Sequence, residues 1–248
     1  MRRFYEDFPA TSLLILLIVG FFILEILAIS KLVEPESLPR GFPLFFGGAG
    51  TQAIHPLGIL DTDAVVSRHE YWRLLTAVVL HGGVVHLLFN LWVLIDLGRF
   101  CEAHFSSTKY FTFFVLSGLG GSLARWGWSQ ASGDPAWSLG ASGALLGLIG
   151  ACLSYAVKER QVEMRQEFTR WIIQIGLLSV LLSNVVDHAA HIGGFIVGGA
   201  LGLSVDRYTT SATAERWRLP AWIAGAALGT SLLFGLFNYF SLLARIAG

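Results

Sequence analysis

The sequence predicts an all-α protein, a polytopic bundle of seven membrane-spanning helices. The 248 residues are 54% hydrophobic and only 14% charged, which is far more apolar than an ordinary soluble domain. The apolar residues also come in runs close to the ~20 residues that a helix needs to cross a bilayer. We therefore expect a single transmembrane domain over residues 1–248, with the lipid bilayer as a partner.

The predicted spans follow one another along the chain. They cover approximately residues 11–30, 72–97, 110–126, 142–155, 171–186, 187–202 and 221–243. Between the first two spans, residues 31–71 are rich in proline and glycine, a composition that argues against a further span. Because this segment also carries apolar residues such as Phe45 and Phe46, we expect a structured loop that dips into the membrane interface.

Lysine and arginine, which concentrate on the cytoplasmic side of membrane proteins, predict the orientation. With the N-terminus inside, the basic residues that fall inside are Arg2, Arg3, Arg99, Lys109, Lys158, Arg160, Arg165, Arg170, Arg207, Arg216 and Arg218. Fewer fall outside, so we expect a cytoplasmic N-terminus and an external C-terminus. The chain is compact and shows no transit peptide, which favours a bacterial inner membrane. Its net charge of zero gives no reason to expect nucleic acid as a partner.

Four polar residues lie early in alternate spans: His86 and Asn90 in the second, Ser142 in the fourth and His191 in the sixth. These three spans run in the same direction, so the four residues share one depth near the outer leaflet. A serine at a helix start is either a cap or, with a base within hydrogen-bond reach, a nucleophile. The shared depth favours a site.

Glycines at intervals of four give the sixth span one small face, through Gly194, Gly198 and Gly202. The fourth span has its own small face, which begins at Gly143. Small residues at this spacing let two helices approach closely, which would bring Ser142 towards His191. The alternative is that both faces serve packing alone and that His191 is an incidental polar neighbour.

Four motifs in this order resemble those of the rhomboid family of intramembrane serine proteases, over approximately residues 58–203. They are Trp72-Arg73, the H-x-x-x-N of His86 and Asn90, Gly140-Ala141-Ser142-Gly143, and Ala190-His191-Ile192-Gly193-Gly194 with Gly198. The resemblance implies a six-helix core over about 11–205, with one added C-terminal span. The implied substrates are transmembrane segments of membrane proteins.

The resemblance also implies a role for each matching residue. Ser142 would be the nucleophile, His191 the general base, and His86 and Asn90 donors to the oxyanion. Gly194 and Gly198 would be the close-packing positions. With no family acid to complete a triad, we expect a Ser-His dyad. Asp187, four residues before His191, either orients the imidazole or caps its helix.

Two positions depart from the family pattern. Gly98 and Glu102 resemble a G-x-x-x-E, but His104 stands where an arginine often follows. Leu146 stands where an aromatic residue commonly supports the histidine, so either the orientation of the imidazole is looser or Phe195 substitutes.

Other polar residues receive weaker roles. Glu25 either snorkels or faces the bundle and has no catalytic role, whereas His81 either assists water entry or makes a structural hydrogen bond. His55, His69, His104 and His188 are expected at the solvent or the interface. Neither C-x-x-C nor H-E-x-x-H occurs, so we expect neither a metal nor a cofactor.

Two rival functions remain. One is a rhomboid-like pseudoprotease that binds transmembrane helices without cleaving them, although it has no need of both Ser142 and His191. The other is a small transporter. Two observations argue against it: the polar residues stop at one leaflet instead of crossing the membrane, and no inverted repeat is visible.

Overall fold

The computed structural model describes residues 4–33, 51–181, 186–206 and 215–247, and it confirms the all-α fold class. In chain order the helices are α1 (Phe4–Asp7), α2 (Pro9–Leu32), α3 (Thr51–Ile54), α4 (Thr62–Ser67), α5 (Arg73–Thr76), α6 (Val84–Phe105), α7 (Ser107–Ser132), α8 (Ser142–Lys158), α9 (Val162–Leu181), α10 (His188–Leu203) and α11 (Arg218–Ala247). A 3-10 turn covers His55–Leu57, and two short strands are β1 (Leu60–Asp61) and β2 (Trp137–Ser138).

Three of these helices are long and apolar enough to cross a membrane by length and composition. They are Pro9–Leu32, Val84–Phe105 and, within α11, Arg218–Ile246. Helices α8 and α10 are apolar but shorter, and they pack against each other and against α7. Most of α8 is buried, whereas the buried residues of α10 are Gly194, Gly198 and Gly202.

The bundle is organised around α8, which packs against α10, α7, α9 and α6. Helix α10 lies between α8 and α7, and it shares its most extensive contact with α8. Helix α11 packs against α7 and against the loop that precedes α6. Helix α8, which begins at Ser142, is therefore central, although it has only 17 residues.

The predicted start of the second span at Trp72 is wrong, because the long helix begins only at Val84. Residues 77–81 are not helical, yet all five are buried, so the apolar run that suggested a helix is a buried connection. Its backbone groups find partners elsewhere, as Ala77 O accepts from Gly140 N at 2.8 Å and His81 N donates to Glu25 at 2.8 Å.

The fifth span was also misplaced, since α9 begins at Val162 rather than at Trp171. Its first turns are the most charged stretch of the chain, which an apolar pattern cannot assign to a helix. The charges are compatible with the helix because they lie on exposed positions, and Glu167 pairs with Arg170 one turn later. The span was predicted to end at about residue 186, and residues 182–185 of it lie outside the described residues.

The structure describes the loop before α6 from residue 51 to residue 83, and residues 34–50 lie outside the described part. Arg73 organises this segment, because its Nη1 donates to His55 O at 2.8 Å and to Ile59 O at 2.9 Å. Strand β1 pairs antiparallel with β2, joining Leu60 to Ser138. The loop is thereby attached to the residues that immediately precede Ser142.

Candidate active site

Two side chains from different helices meet near one end of the bundle. Ser142 Oγ lies 2.7 Å from His191 Nε2, across 49 residues of sequence. This distance is within the range in which an imidazole takes a proton from a hydroxyl. Both side chains are half-buried, so the pair is held by protein on one side and remains open on the other.

The hydroxyl of Ser142 does not cap its own helix. Ala141 is the N-cap of α8 and makes no side-chain capping bond, while Leu145 N donates to Ala141 O at 2.9 Å as the first helical bond. The backbone N–H groups of Ser142, Gly143 and Ala144 therefore have no partner within the helix. Free N–H groups and the helix dipole together make this end of α8 favourable for a developing negative charge.

Asp187 caps α10, because its Oδ1 accepts from Ala190 N at 3.0 Å. Its second oxygen lies 3.9 Å from Arg125 Nε. His191 N donates to Asp187 O at 3.0 Å as a backbone helical bond, and in the described residues no hydrogen bond joins the two side chains. Of the two roles that the sequence left open, the structure shows the cap, which fixes the backbone at the start of α10.

A glycine seam brings the two helices into backbone contact. A methyl group added to Gly194 or Gly198 would come within 3.0 Å of the carbonyl oxygen of Gly143 or Gly147, respectively. Gly202 makes the same approach to Ala151, so the contact extends along three turns. The far end of the seam is fastened by Lys158, the last residue of α8, whose Nζ donates to the carbonyls of Leu203 (3.0 Å) and Val205 (2.7 Å).

His86 reaches the same place from α6. A methyl group on Gly140 would lie 2.8 Å from His86 Nε2 and 3.9 Å from Ser142 Oγ, so the imidazole and the hydroxyl flank the same α-carbon. Gly140 also has φ +126°, which residues with a side chain rarely adopt. Glycine is required here both for its backbone conformation and for the space that His86 occupies.

Asn90 lies one turn after His86 and is buried, with its Nδ2 donating to His86 O at 2.8 Å. An amide nitrogen carries two N–H groups, so this bond leaves one of them for another acceptor. The side chain of Asn90 is therefore bonded to the backbone of its own helix, and the structure shows no direct contact between Asn90 and Ser142.

Glu25 has a structural role that the sequence did not predict. Its carboxylate is 1% exposed and accepts from His81 N at 2.8 Å, linking α2 to the start of the connection into α6. The His81 ring donates from Nδ1 to Val79 O at 3.1 Å and packs 5.0 Å, centroid to centroid, from His86. Of its two expected roles, His81 fulfils the structural one.

The departures from the family pattern have different outcomes. Glu102 accepts from Ala10 N, Thr11 N and Thr11 Oγ1 at 2.8, 3.0 and 2.7 Å, so it ties α6 to the start of α2 without help from an arginine. His104 is exposed and stacks on Phe100, with ring centroids 4.0 Å apart. Phe195 lies beside Gly150, one turn further into the seam, and no aromatic ring of the described residues pairs with His191. The expected substitution by Phe195 is not seen.

The remaining histidines lie away from the pair. His69 and His188 are exposed, as expected. His55 is only partly at the interface, because its Nε2 bonds Asp61 Oδ2 at 2.9 Å and 22% of its side chain is exposed. Among the described residues, no group of three or more His, Cys, Asp or Glu side chains could hold a metal ion.

Comparison with known proteins points to one family. Residues 68–208 match the rhomboid domain, which is more than half of the chain. The chain is similar to RHOMBOID-like protein 6, mitochondrial, of Arabidopsis thaliana, with 36% identity over 171 residues that cover 63% of this chain and 51% of the relative.

Two bacterial relatives carry the word protease in their names. Rhomboid protease GluP of Bacillus subtilis is 34% identical over 63% of this chain and 31% of its own length. Rhomboid protease AarA of Providencia stuartii is 29% identical over 54% of this chain and 56% of its own length. The chain thus spans between about a third and just over half of the length of these three relatives.

Proposed function

The chain belongs to the rhomboid family and is an integral membrane protein, and from this premise we propose that it is an intramembrane serine protease working through Ser142 and His191. The observation that carries the proposal is the 2.7 Å contact between Ser142 Oγ and His191 Nε2. A serine hydroxyl is a weak nucleophile unless a base takes its proton as it attacks. The imidazole is at the distance that this proton transfer requires.

The reaction has two halves. In the first, Ser142 attacks the scissile carbonyl while His191 accepts the hydroxyl proton, and the imidazolium then returns a proton to the leaving amine. In the second, water attacks the acyl-enzyme as His191 takes a proton from it, and the imidazolium then returns this proton to the Ser142 oxygen as the acid is released. No residue other than Ser142 and His191 needs to gain or lose a proton in this scheme.

Three donors are proposed for the developing oxyanion. The backbone N–H of Ser142 is free of helical bonds, His86 borders the same α-carbon as the hydroxyl, and Asn90 retains one N–H. Preorganised donors of this kind act mainly on the transition state. We therefore assign His86 and Asn90 to oxyanion stabilisation.

The test is activity-based labelling with a fluorophosphonate, together with cleavage of a generic single-span substrate by purified protein. We expect Ser142→Ala to abolish both and His191→Ala to reduce both to background, with the bundle still folded. Matched controls are Ser154→Ala on the same helix as Ser142, and His188→Ala one turn before His191. Substantial turnover by either active-site variant would exclude the dyad.

The same experiment separates the rival within the family. A pseudoprotease would bind a transmembrane segment but leave Ser142 unlabelled and the substrate intact. The wild-type protein is expected to be labelled in a manner that His191→Ala abolishes.

The proposed substrates are transmembrane segments that unwind near their outer end. A stable membrane helix keeps its carbonyls in internal hydrogen bonds, so Ser142 needs a peptide bond released by glycine, proline or polar residues. The glycine seam around Ser142 leaves limited room, so a small residue before the cut should fit best. Replacing such a glycine or proline by leucine should slow cleavage, and restoring a helix breaker nearby should recover it.

The proposed orientation has the N-terminus in the cytoplasm. It rests on the excess of lysine and arginine in the segments that this orientation places inside. The site then lies in the outer half of the bilayer. A cysteine placed near Phe4 should be modified by a membrane-impermeant maleimide only after the membrane is permeabilised.

A further inference from the structure

We infer that α11, the helix beyond the six-helix core, positions Ser142 by supporting the loop before α6, and that Gly235 is the contact through which it acts. The inference rests on the proposed function of Ser142 and adds a positioning residue to it.

Helix α11 has one face towards the protein and one towards lipid. Its buried residues fall on a single stripe at intervals of three and four, comprising Ala224, Leu228, Ser231, Leu232, Gly235 and Tyr239. The large apolar side chains between them are exposed, among them Trp222 (77%), Leu233 (66%) and Phe237 (69%). The helix is therefore docked on the bundle in one defined rotation.

The first half of α11 is anchored on α7. The Trp217 ring, just before the helix, meets Phe113 with centroids 5.2 Å apart in an edge arrangement. A methyl group on Gly225 would lie 3.6 Å from Phe111, which is an ordinary packing distance. These contacts fix the height and tilt of α11 independently of the loop before α6.

The second half of α11 meets the loop before α6 without an intervening side chain. A methyl group on Gly235 would come within 3.0 Å of Leu57 O and would lie 3.5 Å from the Trp72 ring. The backbone of α11 thus rests on the 3-10 turn at His55–Leu57. A backbone carbonyl cannot rotate away from a new side chain, so this contact transmits displacement.

From this turn, a short series of bonds leads to Ser142. Thr76 Oγ1 donates to Gly58 O at 2.8 Å, and the next residue, Ala77, accepts from Gly140 N at 2.8 Å. Gly140 is two residues before Ser142 and is the position that borders His86. Pairing of Leu60 with Ser138 provides a second connection between the same two segments.

Displacement along this route matters because attack geometry is demanding. A misplacement of about 1 Å at a reacting group can reduce the rate by ~10²-fold. A shift of the 55–58 turn would move Ala77 and Gly140, and with them the hydroxyl relative to His86 and His191. Substrate binding along the helices would change less, so the expected signature is a loss of kcat with little change in KM.

The experiment compares two glycines of α11 in the full-length protein. Gly235→Ala adds a methyl group against Leu57 O, whereas Gly229→Ala adds one where nothing lies within 4 Å. We expect Gly235→Ala to lower kcat about tenfold with KM nearly unchanged, and Gly229→Ala to leave both unchanged. Equal kcat for the two variants, or a loss confined to thermal stability, would overturn the inference.

A second pair avoids the steric clash if Gly235→Ala fails to fold. Leu232→Ala removes a buried contact (6% exposed) one turn before Gly235, and Leu233→Ala removes a lipid-facing one (66% exposed). Leu232→Ala should lower kcat about threefold more than Leu233→Ala does. An equal effect of the two substitutions contradicts a role for the docked face.

Amide hydrogen exchange provides a measurement that does not need catalysis. The Gly140 N–H is protected by Ala77 O, so its exchange should accelerate in Gly235→Ala and remain unchanged in Gly229→Ala. If the wild-type protein were not labelled at Ser142, the proposed function would fail while this measurement still decided the role of α11. Unaltered exchange at Gly140 in Gly235→Ala would exclude that role.

Discussion

The seam between α8 and α10 and the contact between α6 and α9 use opposite kinds of packing. In the seam, glycines bring backbone against backbone, and Gly194 and Gly198 have no space for a methyl group. Between α6 and α9, the described contacts include pairs of aromatic rings, Trp92 with Trp171 at 6.2 Å and Phe100 with Phe168 at 5.0 Å. One contact is rigid and the other is made of side chains that can rotate.

The two contacts suit different tasks. A seam of carbonyls and α-carbons fixes the distance between Ser142 and His191, which catalysis needs to be constant. Towards its end, α9 exposes Leu177 (63%) and Leu181 (80%), so its displacement would leave few buried contacts unsatisfied. We therefore expect precision on the side of the dyad and movement on the side of α9.

Breaking the seam should have the largest effect. Gly198→Val would force a branched side chain against the Gly147 carbonyl, which we expect to cost more than about 3 kcal/mol of unfolding free energy and to abolish cleavage. Gly176→Val on α9 is the matched control, since nothing lies within 4 Å of that position. Thermal unfolding in detergent and substrate cleavage would measure both. Full activity of Gly198→Val would mean that the seam tolerates separation.

Removing a donor on the rigid side should have the next largest effect. His86→Ala is expected to lower kcat by ~10²–10³-fold with KM nearly constant, because an oxyanion donor acts in the transition state. Asn90→Ala should act in the same direction. The control is Leu88→Ala, which alters an exposed side chain (58%) on the same helix. A rise in KM at constant kcat would contradict the assignment of His86.

Loosening α9 should have a smaller effect, with a different signature. Trp171→Ala removes the ring that packs on Trp92, at a cost of about 1 kcal/mol. We expect cleavage of a membrane-spanning substrate to rise while fluorophosphonate labelling of Ser142 keeps its rate, because access changes and chemistry does not. Trp222→Ala, at a 77% exposed ring on α11, is the control. Equal acceleration of both reactions would place the effect at the dyad.

The smallest expected effect concerns acid, at the hydrogen-bonded pair of His55 and Asp61 in the loop before α6. Burial lowers the pKa of His55, and the hydrogen bond to Asp61 offsets this only in part. Burial would raise the pKa of Asp61, but the bonds from His55 and Ala64 N outweigh it, so this pKa is also lowered.

Each of these pKa shifts makes the stability of the folded state depend on pH. The folded state disfavours protonated His55, so stability is lost as pH falls below the unfolded pKa of about 6.5, and the contribution of Asp61 is lost in stronger acid. In His55→Gln, Tm should fall less between pH 7.5 and pH 5 than it does in the wild type. The corresponding difference in unfolding free energy is up to about 1 kcal/mol. An unchanged pH dependence would mean that other groups control this window.

Apolar runs predicted the number and order of the long helices, because a span must bury or expose to lipid about 20 apolar residues. The apolar runs gave wrong helix boundaries where buried residues are not helical or where helical residues are not apolar. Ala77, Val78, Val79 and Leu80 are all buried but not helical, and only the following Gly82-Gly83 pair hinted at a break. In α9 the opposite holds, since charged residues continue the helix beyond its apolar part.

The residues of the candidate site could be predicted from the sequence more readily than the residues that hold them in position. Ser142, His191 and His86 are placed by motif spacing and a common depth, and spacing along a helix follows from its geometry. Glu25 received no role, because a single acid in a span does not reveal its partner, the backbone N–H of His81. The contact of Gly235 could not be predicted from the sequence either, because its partner is the carbonyl of Leu57, 178 positions earlier in the chain.

The placement of Ser142 and His191 on α8 and α10 has a consequence for biosynthesis. The two residues are separated by 49 positions, and all of α9 lies between them in the chain. A nascent chain that has inserted α8 therefore contains Ser142 but not His191. Under the proposed mechanism, we expect hydrolysis to begin only when α10 has entered the membrane and packed on α8, so that a chain that stops before α10 is inactive.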